Sequence, residues 1–322
     1  MIVIVGATGT GKSECALAVA ERLGRSGRRA EIVNADAMQL YRGMDIGTAK
    51  LSPGERRGIP HHLLDVLDVT EDASVAWYQP RARVEIAGIV ARGATPILVG
   101  GSGLYVSSVV FDFSFPPRDP AIRARLEKEL DDIGPGQLHA RLHEVAPETA
   151  ARVDAANGRR IVRALEVFEL SSAGHGGTLP EQPVLWQPAR IVGLHTARDV
   201  LTVRLDARVE AMWAHGMLDE VAELIPRGIE RGTTACRAIG YAQALAQLRG
   251  TLTQDAAIAR AQQLTRRYAR RQVSWFKRYP ELTWLDSGSP QLIDGVMNVV
   301  DAQPIELHNG DHAPLHQRSR HR

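Results

Sequence analysis

The sequence predicts an α/β fold, a parallel sheet flanked by helices, with an all-helical domain inserted into it. Three observations carry this. Short apolar, β-branched runs alternate with helical spacings on both sides of the chain's middle. The first run passes directly into a glycine-rich loop and then a helix. From about residue 113 to 189 the alternation stops and helical spacings follow one another. The expected division is a discontinuous core of residues 1–112 and 190–300, an insertion of residues 113–189, and a disordered tail of residues 301–322.

Bulk properties narrow the class. A chain of 322 residues, 44% hydrophobic and 24% charged, is that of a soluble globular protein of about two domains. Lys+Arg 39 against Asp+Glu 37 leaves +2, so any affinity for nucleic acid must come from local clustering of charge. Cys15 and Cys236 are far apart with no metal-like spacing, as in a reduced cytoplasmic protein. The N-terminal apolar run is short and lacks a basic leader. No apolar stretch approaches the ~20 residues that cross a bilayer, so no membrane partner is expected.

Met1–Val5 reads as a buried strand. Gly6, Ala7, Thr8, Gly9, Thr10, Gly11, Lys12 and Ser13 then match G-x-x-x-x-G-K-[ST] in full. Ser13 to Arg22 follows with helical spacing, Cys15, Leu17, Ala18, Ala20 and Leu23 forming its apolar side. Strand, loop and helix make a phosphate cradle. Glycines let backbone N–H groups converge on oxygen anions, and the helix N-terminus adds partial positive charge. Lys12 would reach a terminal phosphate and Ser13 could hold Mg²⁺. The core is therefore expected to be P-loop NTPase-like. By motif alone the chain is nucleotide-binding, ATP included; the residues leave open which polyphosphate it takes.

Ala30–Asn34 is a second strand, ending at Asp36. Carboxyl ends of strands face the ligand crevice in open α/β sheets, which puts Asp36 on the same rim as Lys12. A turn or helix N-cap is the alternative role for that carboxylate. Gly43–Lys50 is a loop. His61 and His62 lack a third ligand at a metal-like spacing. A helix is expected from Ser74 to Arg92 with Trp77, Ala82, Ile86 and Ile89 inward. Thr95–Val99 is a buried strand opening into Gly100–Tyr105, where glycines and Ser102 occupy the place of the acid that helps hold Mg²⁺ in nucleotide-hydrolysing enzymes.

Pro116-Pro117 and Asp119-Pro120 mark Phe111–Pro120 as a boundary. Helices are expected at Ala121–Asp132, Gly136–Val145, Pro147–Arg152 and Arg159–Leu170, the last with Arg159, Arg160 and Arg163 on nearby faces. Gly174–Gly177 is a flexible loop. Ala189–Leu194 returns to the sheet. A long helix is expected over Asp199–Leu224, with Arg204 and Arg208 one turn apart, and another from Cys236–Tyr241 to Leu248. Asp255–Tyr279 is a further helix, with seven basic residues interleaved by Tyr268, Trp275 and Phe276, a density beyond what a solvated face needs. Trp284–Asp286 is expected to end the ordered core, ahead of a tail carrying His308, His312, His316 and His321.

Several of these motifs, in this order, resemble the tRNA dimethylallyltransferase (isopentenyltransferase) family from Ile2 to about Asp286. Gly6–Ser13 is similar to its phosphate loop. Asp36-Ala37-Met38-Gln39-Leu40-Tyr41 resembles its D-S-x-Q-x-Y element, Gly43–Lys50 its G-x-D-I-G-T-A-K loop, and Pro60-His61-His62 its P-H-H element. Gly100–Tyr105 resembles its G-G-T-G-L-Y turn, Arg159–Glu166 its R-x-x-R-A-L-E helix, and Arg237–Tyr241 and Arg271–Phe276 its later signatures. Ala37 stands where the family has serine and Ser102 where threonine is usual.

The resemblance implies a reaction: the dimethylallyl group of dimethylallyl diphosphate moves to N6 of the adenine 3′-adjacent to the anticodon of tRNA, and diphosphate leaves. It implies Asp36 as general base, with Lys12 and Ser102 completing the catalytic set. Lys12, the loop amides, Mg²⁺ and Arg208 would stabilise the departing diphosphate. Asp36, Ala37, Met38, Gln39, Ser102, Arg123, Arg159, Arg160, Arg163 and Arg237 would contact tRNA, whose adenine leaves its stack to react. A monomer acting on the anticodon stem-loop is expected. The competing readings are an adenylate isopentenyltransferase using free AMP, a small-molecule P-loop kinase, and a non-catalytic RNA-binding module.

Overall fold

A computed structural model describes residues 1–112, 115–116, 118–171, 184–279 and 282–302. In chain order the elements are β1 (Ile2–Gly6), α1 (Lys12–Arg25), β2 (Ala30–Asn34), β3 (His61–His62), α2 (Val75–Ala91), β4 (Thr95–Gly100) and α3 (Gly103–Val110). Next come α4 (Pro120–Val145), α5 (Pro147–Ala150), α6 (Gly158–Ser171), β5 (Arg190–His195), α7 (Arg198–Ala214) and α8 (Met217–Leu224). Then follow α9 (Tyr241–Leu248), α10 (Gln254–Phe276), β6 (Leu282–Asp286) and α11 (Leu292–Asp301). They form two compact units, Met1–Val110 with the chain from Leu185 onward, and Phe111–Val184.

The first unit is built on a parallel six-stranded sheet in the order β3-β2-β4-β1-β5-β6, flanked by helices, the P-loop NTPase-like arrangement expected. Strand β1 lies between β4 and β5, Ile4 pairing with Val99 and Val192. Such a strand is covered on both faces, which is why Ile2–Val5 is apolar at every position and not only at alternate ones. Ile2, Ile4, Ile32, Ile97, Val99 and Val192 pack with Cys15, Ala16, Leu17, Val19, Ala20 and Leu23 of α1 and Val296 of α11. Alternation sends Val3, Val5, Val33 and Leu98, all buried, to the opposite face. Helix α2 packs against β2 and β4, and α10 against β1.

The structure departs from the sequence expectations at four places. In α2 the buried positions are Val75, Tyr78, Ala82, Ile86 and Ile89, a phase that leaves Trp77 half-buried with the Arg81 guanidinium 4.2 Å from its ring centre. The long helix expected over Asp199–Leu224 is two, because Gly216 at φ 99° breaks it between α7 and α8. The helix expected to open at Cys236 begins only at Tyr241, because Gly240 at φ 93° separates it from the short turn Ala235–Arg237. Finally, the core does not end at Asp286. Leu282–Asp286 is the edge strand β6, paired with β5, and α11 follows with Val296 fully buried.

The second unit is helical. Gly134, at φ 79°, kinks α4 between the two helical segments expected there. Leu126, Leu138, Leu142, Ala150, Ile161, Val162 and Leu165 make its core. The Gly174–Gly177 loop, and residues 303–322 of the expected tail with His308, His312, His316 and His321, lie outside the described residues. Asp301 closes α11 and pairs with Arg28 at 3.0 Å. Among the described residues no helix is long and apolar enough to cross a membrane.

Candidate active site

The phosphate loop turns tightly between β1 and α1. Gly9 and Gly11 take φ 81° and 78°, and a Cβ on Gly6 would lie 2.5 Å from the Leu194 carbonyl oxygen of β5. Gly11 caps α1 without a side chain, leaving the helix N-terminus open. Thr10 Oγ1 and Lys12 Nζ both donate to the Ala7 carbonyl, at 2.8 and 2.7 Å. Lys12 is half-buried, and desolvation pushes its ammonium down to about 8, Asp36 opposing the fall and Arg208 adding to it. Helix α7 brings two more cations. Arg204 Nη1 donates to the Gly9 carbonyl at 3.0 Å and Arg208 Nη1 to Thr8 Oγ1 at 3.2 Å. Arg208 Nε is buried with no hydrogen-bond acceptor among the described residues. A buried guanidinium N–H without a partner is costly, and an anionic oxygen would satisfy it.

Asp36 follows β2 on the same rim. Its Oδ1 accepts from Met38 N at 3.0 Å, while its own backbone is fixed by Asn34, whose Oδ1 accepts from Asp36 N at 2.9 Å and whose Nδ2 donates to the Asp36 carbonyl at 3.0 Å. The turn role and the site role therefore coexist: one carboxylate oxygen orients the group, and the carboxylate still lines the cavity. Gln39 donates to the Thr48 carbonyl at 3.1 Å, tying this turn to the Gly43–Lys50 loop. That loop is clamped in turn. Lys50 Nζ, buried, reaches Asp45 and Asp65 at 2.6 Å each, and Glu220 of α8 accepts from the amides of Asp45 and Ile46 and from the Tyr241 hydroxyl.

The end of β4 shows why no acid stands there. A Cβ on Gly100 would lie 2.3 Å from the Ala35 carbonyl oxygen, and one on Gly101 2.3 Å from the Gln272 amide nitrogen. Ser102 Oγ accepts from Ala37 N at 3.2 Å and lies 3.4 Å from the Tyr268 hydroxyl, which burial pushes up to about 12, Asp36 adding to the shift. Ala37 thus contributes through its backbone. Gln272 of α10, only 4% exposed, accepts from Thr8 N at 2.8 Å and donates to the Gly101 carbonyl at 2.9 Å. It was not among the residues expected at the site. The pattern of its helix advertises charge, whereas Gln272 works from the buried face. Gln272→Met keeps the shape and deletes both bonds. It should cost about 2 kcal/mol in urea unfolding and lower kcat/KM for the anionic substrate roughly 10–100-fold. Steady-state constants equal to wild type would remove the bridge from the site's design.

The phosphate loop, the Asp36 turn and the end of β4 border a cavity of about 470 Å³; Ser102 and Gln272 stand behind its lining. Thr8, Gly9, Gly11, Lys12, Ser13, Arg204 and Arg208 form its cationic wall. Asp36, Gln39, Thr48, Gly100 and Gly101 line another part, and Ile32, Leu51, Leu64 and Val99 give it an apolar floor. Such a cavity can hold an anionic head, an apolar body and a base acting on a third group. His61 lines it too, with Nδ1 2.7 Å from the Ile59 carbonyl and its pKa lowered chiefly by burial. His62 instead faces Glu31 and Glu85 at 2.7 and 3.0 Å, so the two histidines do not converge. Among the described residues no group of three His, Cys, Asp or Glu side chains could hold a metal.

The remaining residues expected to contact RNA fall in two places. Arg237 is exposed, on the short turn Ala235–Arg237 of the first unit. In the second unit Arg159 and Arg160 are exposed at the start of α6. Arg123 and Arg163 pair with Glu166 at 3.3 and 2.8 Å; that carboxylate is 1% exposed, and its hydrogen bonds and the two guanidiniums hold its pKa below the usual range although burial pushes the other way.

A family model described as IPP transferase matches residues 39–279. A tRNA dimethylallyltransferase of Clavibacter sepedonicus is 57% identical over 306 residues, covering 94% of this chain and 98% of that protein. One from Leifsonia xyli subsp. xyli is 66% identical over 256 residues, covering 80% and 97%. Among solved structures, the full-length tRNA isopentenylpyrophosphate transferase of Bacillus halodurans has a TM-score of 0.65 at 37% identity, covering 92% of this chain and 93% of that one. A eukaryotic dimethylallyltransferase acting on tRNA has a TM-score of 0.77 at 25% identity, covering 96% and 81%.

Proposed function

The chain belongs to the IPP transferase family, and on that footing we propose that it is a tRNA dimethylallyltransferase, moving the dimethylallyl group of dimethylallyl diphosphate to N6 of the adenine 3′-adjacent to the anticodon. The observation that supports this best is the meeting of Lys12, Arg208 and Asp36 on one cavity wall system, with a buried Arg208 N–H awaiting an acceptor.

The chemistry follows from those groups. The N6 lone pair attacks the allylic carbon, the C–O bond breaks, and diphosphate leaves with the bonding electrons. The exocyclic amine is a poor nucleophile because its lone pair is delocalised into the ring. Asp36 takes the N6 proton as the new bond forms, a role worth roughly 10²–10⁴ in rate. Lys12, Arg208 and the loop amides stabilise the charge growing on the departing oxygen. The apolar floor takes the prenyl chain and keeps water from the allylic centre. Mg²⁺ fits the same wall: Ser13 offers a half-buried hydroxyl beside Lys12, and Mg²⁺ typically draws its other ligands from phosphates and water. When bound, it would offset phosphate charge.

The test is incubation with labelled dimethylallyl diphosphate, Mg²⁺ and either unmodified tRNA or AMP. Label should enter tRNA with release of diphosphate and without ATP. Label in AMP alone would make the chain an adenylate isopentenyltransferase, and ATP turnover on a small alcohol would make it a kinase.

A further inference from the structure

A buried lysine away from the phosphate wall has every donor engaged. Lys50 Nζ, on a side chain 2% exposed, donates to the Tyr41 carbonyl at 2.7 Å and to Asp45 Oδ1 and Asp65 Oδ1 at 2.6 Å each. An ammonium has three N–H donors, so none is left for a substrate. Arg56 Nη2 stands 3.8 Å from Asp65 Oδ2, so two cations face two carboxylates and the cluster is balanced in charge. The backbone of Lys50 is fixed as well, its N–H donating to the Asp45 carbonyl at 3.0 Å.

The three acceptors belong to three segments that reach the cavity. Tyr41 ends the stretch whose Asp36 and Gln39 line it, Asp45 belongs to the loop that supplies Thr48 and Ala49, and Asp65 follows Leu64. Other bonds join the same segments: Asp65 N donates to the Gln39 carbonyl at 3.3 Å, Val66 N to that of Leu40 at 2.8 Å, and Gln39 Nε2 to that of Thr48 at 3.1 Å. Two of these segments are strained. Ala49, Leu63 and Asp65 take φ 49°, 60° and 56°, three of the four non-glycine residues with positive φ among the described residues. Left-handed backbone is unfavourable for a residue with a side chain and persists only where its surroundings over-determine it. Lys50 follows Ala49 directly and bonds Asp65, so it supplies that constraint.

We infer that Lys50 is the positioning residue for the general base: by clipping the three segments together it fixes where the Asp36–Gln39 turn stands relative to the phosphate wall. The inference rests on the reading of Asp36 as the base that takes the N6 proton. Asp36 Oδ1 is tied to Met38 N within the turn, so the carboxylate moves with the stretch that Lys50 grips at Tyr41. A displacement of about 1 Å at a reacting group costs up to roughly 10²-fold in rate. The phosphate loop is held separately, by Gln272, Arg204 and Arg208, so donor binding is expected to survive when the clip is cut.

The experiment is a double-mutant cycle, read as single-turnover transfer from saturating dimethylallyl diphosphate to tRNA. Lys50→Met should lower the rate roughly 30–100-fold, with the donor's KM within about threefold of wild type. In the Asp36→Asn background the same change should cost less than about threefold, because no base is left to misplace. Asp65→Asn is the milder arm. Asparagine tolerates left-handed backbone, so the turn persists while the ion pair goes, and the rate should fall roughly 3–10-fold with the same non-additivity. Val296→Ala, in the core beneath α11, is the stability control: it should lower Tm and leave the rate near wild type. An equal loss from Lys50→Met in both backgrounds would overturn the inference, as would a wild-type rate in Lys50→Met or Asp65→Asn with Tm alone lowered. If Lys50→Met does not fold, the Asp65→Asn cycle decides. An Asp36→Asn chain as fast as wild type would instead reject Asp36 as the base, and the positioning role with it.

Discussion

Asp36→Asn is expected to lower kcat by roughly 10²–10⁴ while leaving the fold and the donor's KM close to wild type. The structure makes this a clean substitution. Asp36 Oδ1 is engaged by Met38 N, and an asparagine Oδ1 accepts that hydrogen bond equally well. The Asn34 bonds that set the turn use the backbone of residue 36 and not its side chain. What disappears is a basic oxygen on the cavity wall, so the loss should fall on proton removal. Donor affinity should hold or rise slightly, since a negative charge near the phosphate wall is gone. Single-turnover kinetics with saturating donor and tRNA measure the chemical step directly. An unchanged rate would strike Asp36 from the role of base.

Lys12→Ala should raise the donor's KM and slow chemistry, with kcat/KM falling roughly 10²–10³-fold, the range found when one preorganised donor to a developing anion is lost. A donor KM equal to wild type would argue against the cradle. The wild-type lysine also predicts a pH dependence. Desolvation depresses its ammonium to about 8, so the free enzyme loses that charge as pH rises through about 8. Donor affinity should therefore be flat below this value and decline above it. Asp36 raises the Lys12 pKa and Arg208 lowers it. Asp36→Asn should shift the break to lower pH and Arg208→Gln to higher pH. The stability contribution has its own sign. A depressed lysine binds fewer protons folded than unfolded between about 8 and its ordinary 10.5, so its burial penalty is full below about 8 and relieved as pH rises through that window.

The elements legible in the sequence are those whose local pattern and tertiary role agree. Ile2–Val5 and Thr95–Val99 are central strands, covered on both faces, and their apolar runs state that directly. The phosphate loop was legible because its glycines, lysine and serine are all needed within a few residues of one another. Edge strand β6 was obscured because its positions are half-exposed or exposed, giving it no apolar run. Helix α11 carries a helical apolar spacing in Leu292, Ile293, Val296, Met297 and Val300, yet it is short and follows a polar turn, so its place against α1 is a tertiary fact.

By itself the sequence determined the α/β order of the core, the phosphate cradle and the placing of Asp36 after a neighbouring strand, since each is written in contiguous residues. Only the tertiary structure decided that Gln272 bridges Thr8 and Gly101, that Gly100 has no room for an acid beside Ala35, and that Arg208 carries a buried N–H unmatched among the described residues. Those facts depend on the distance between segments far apart in the chain. Hydrophobic period reports only which face of an element is covered, and cannot report which polar atom on that face meets which other.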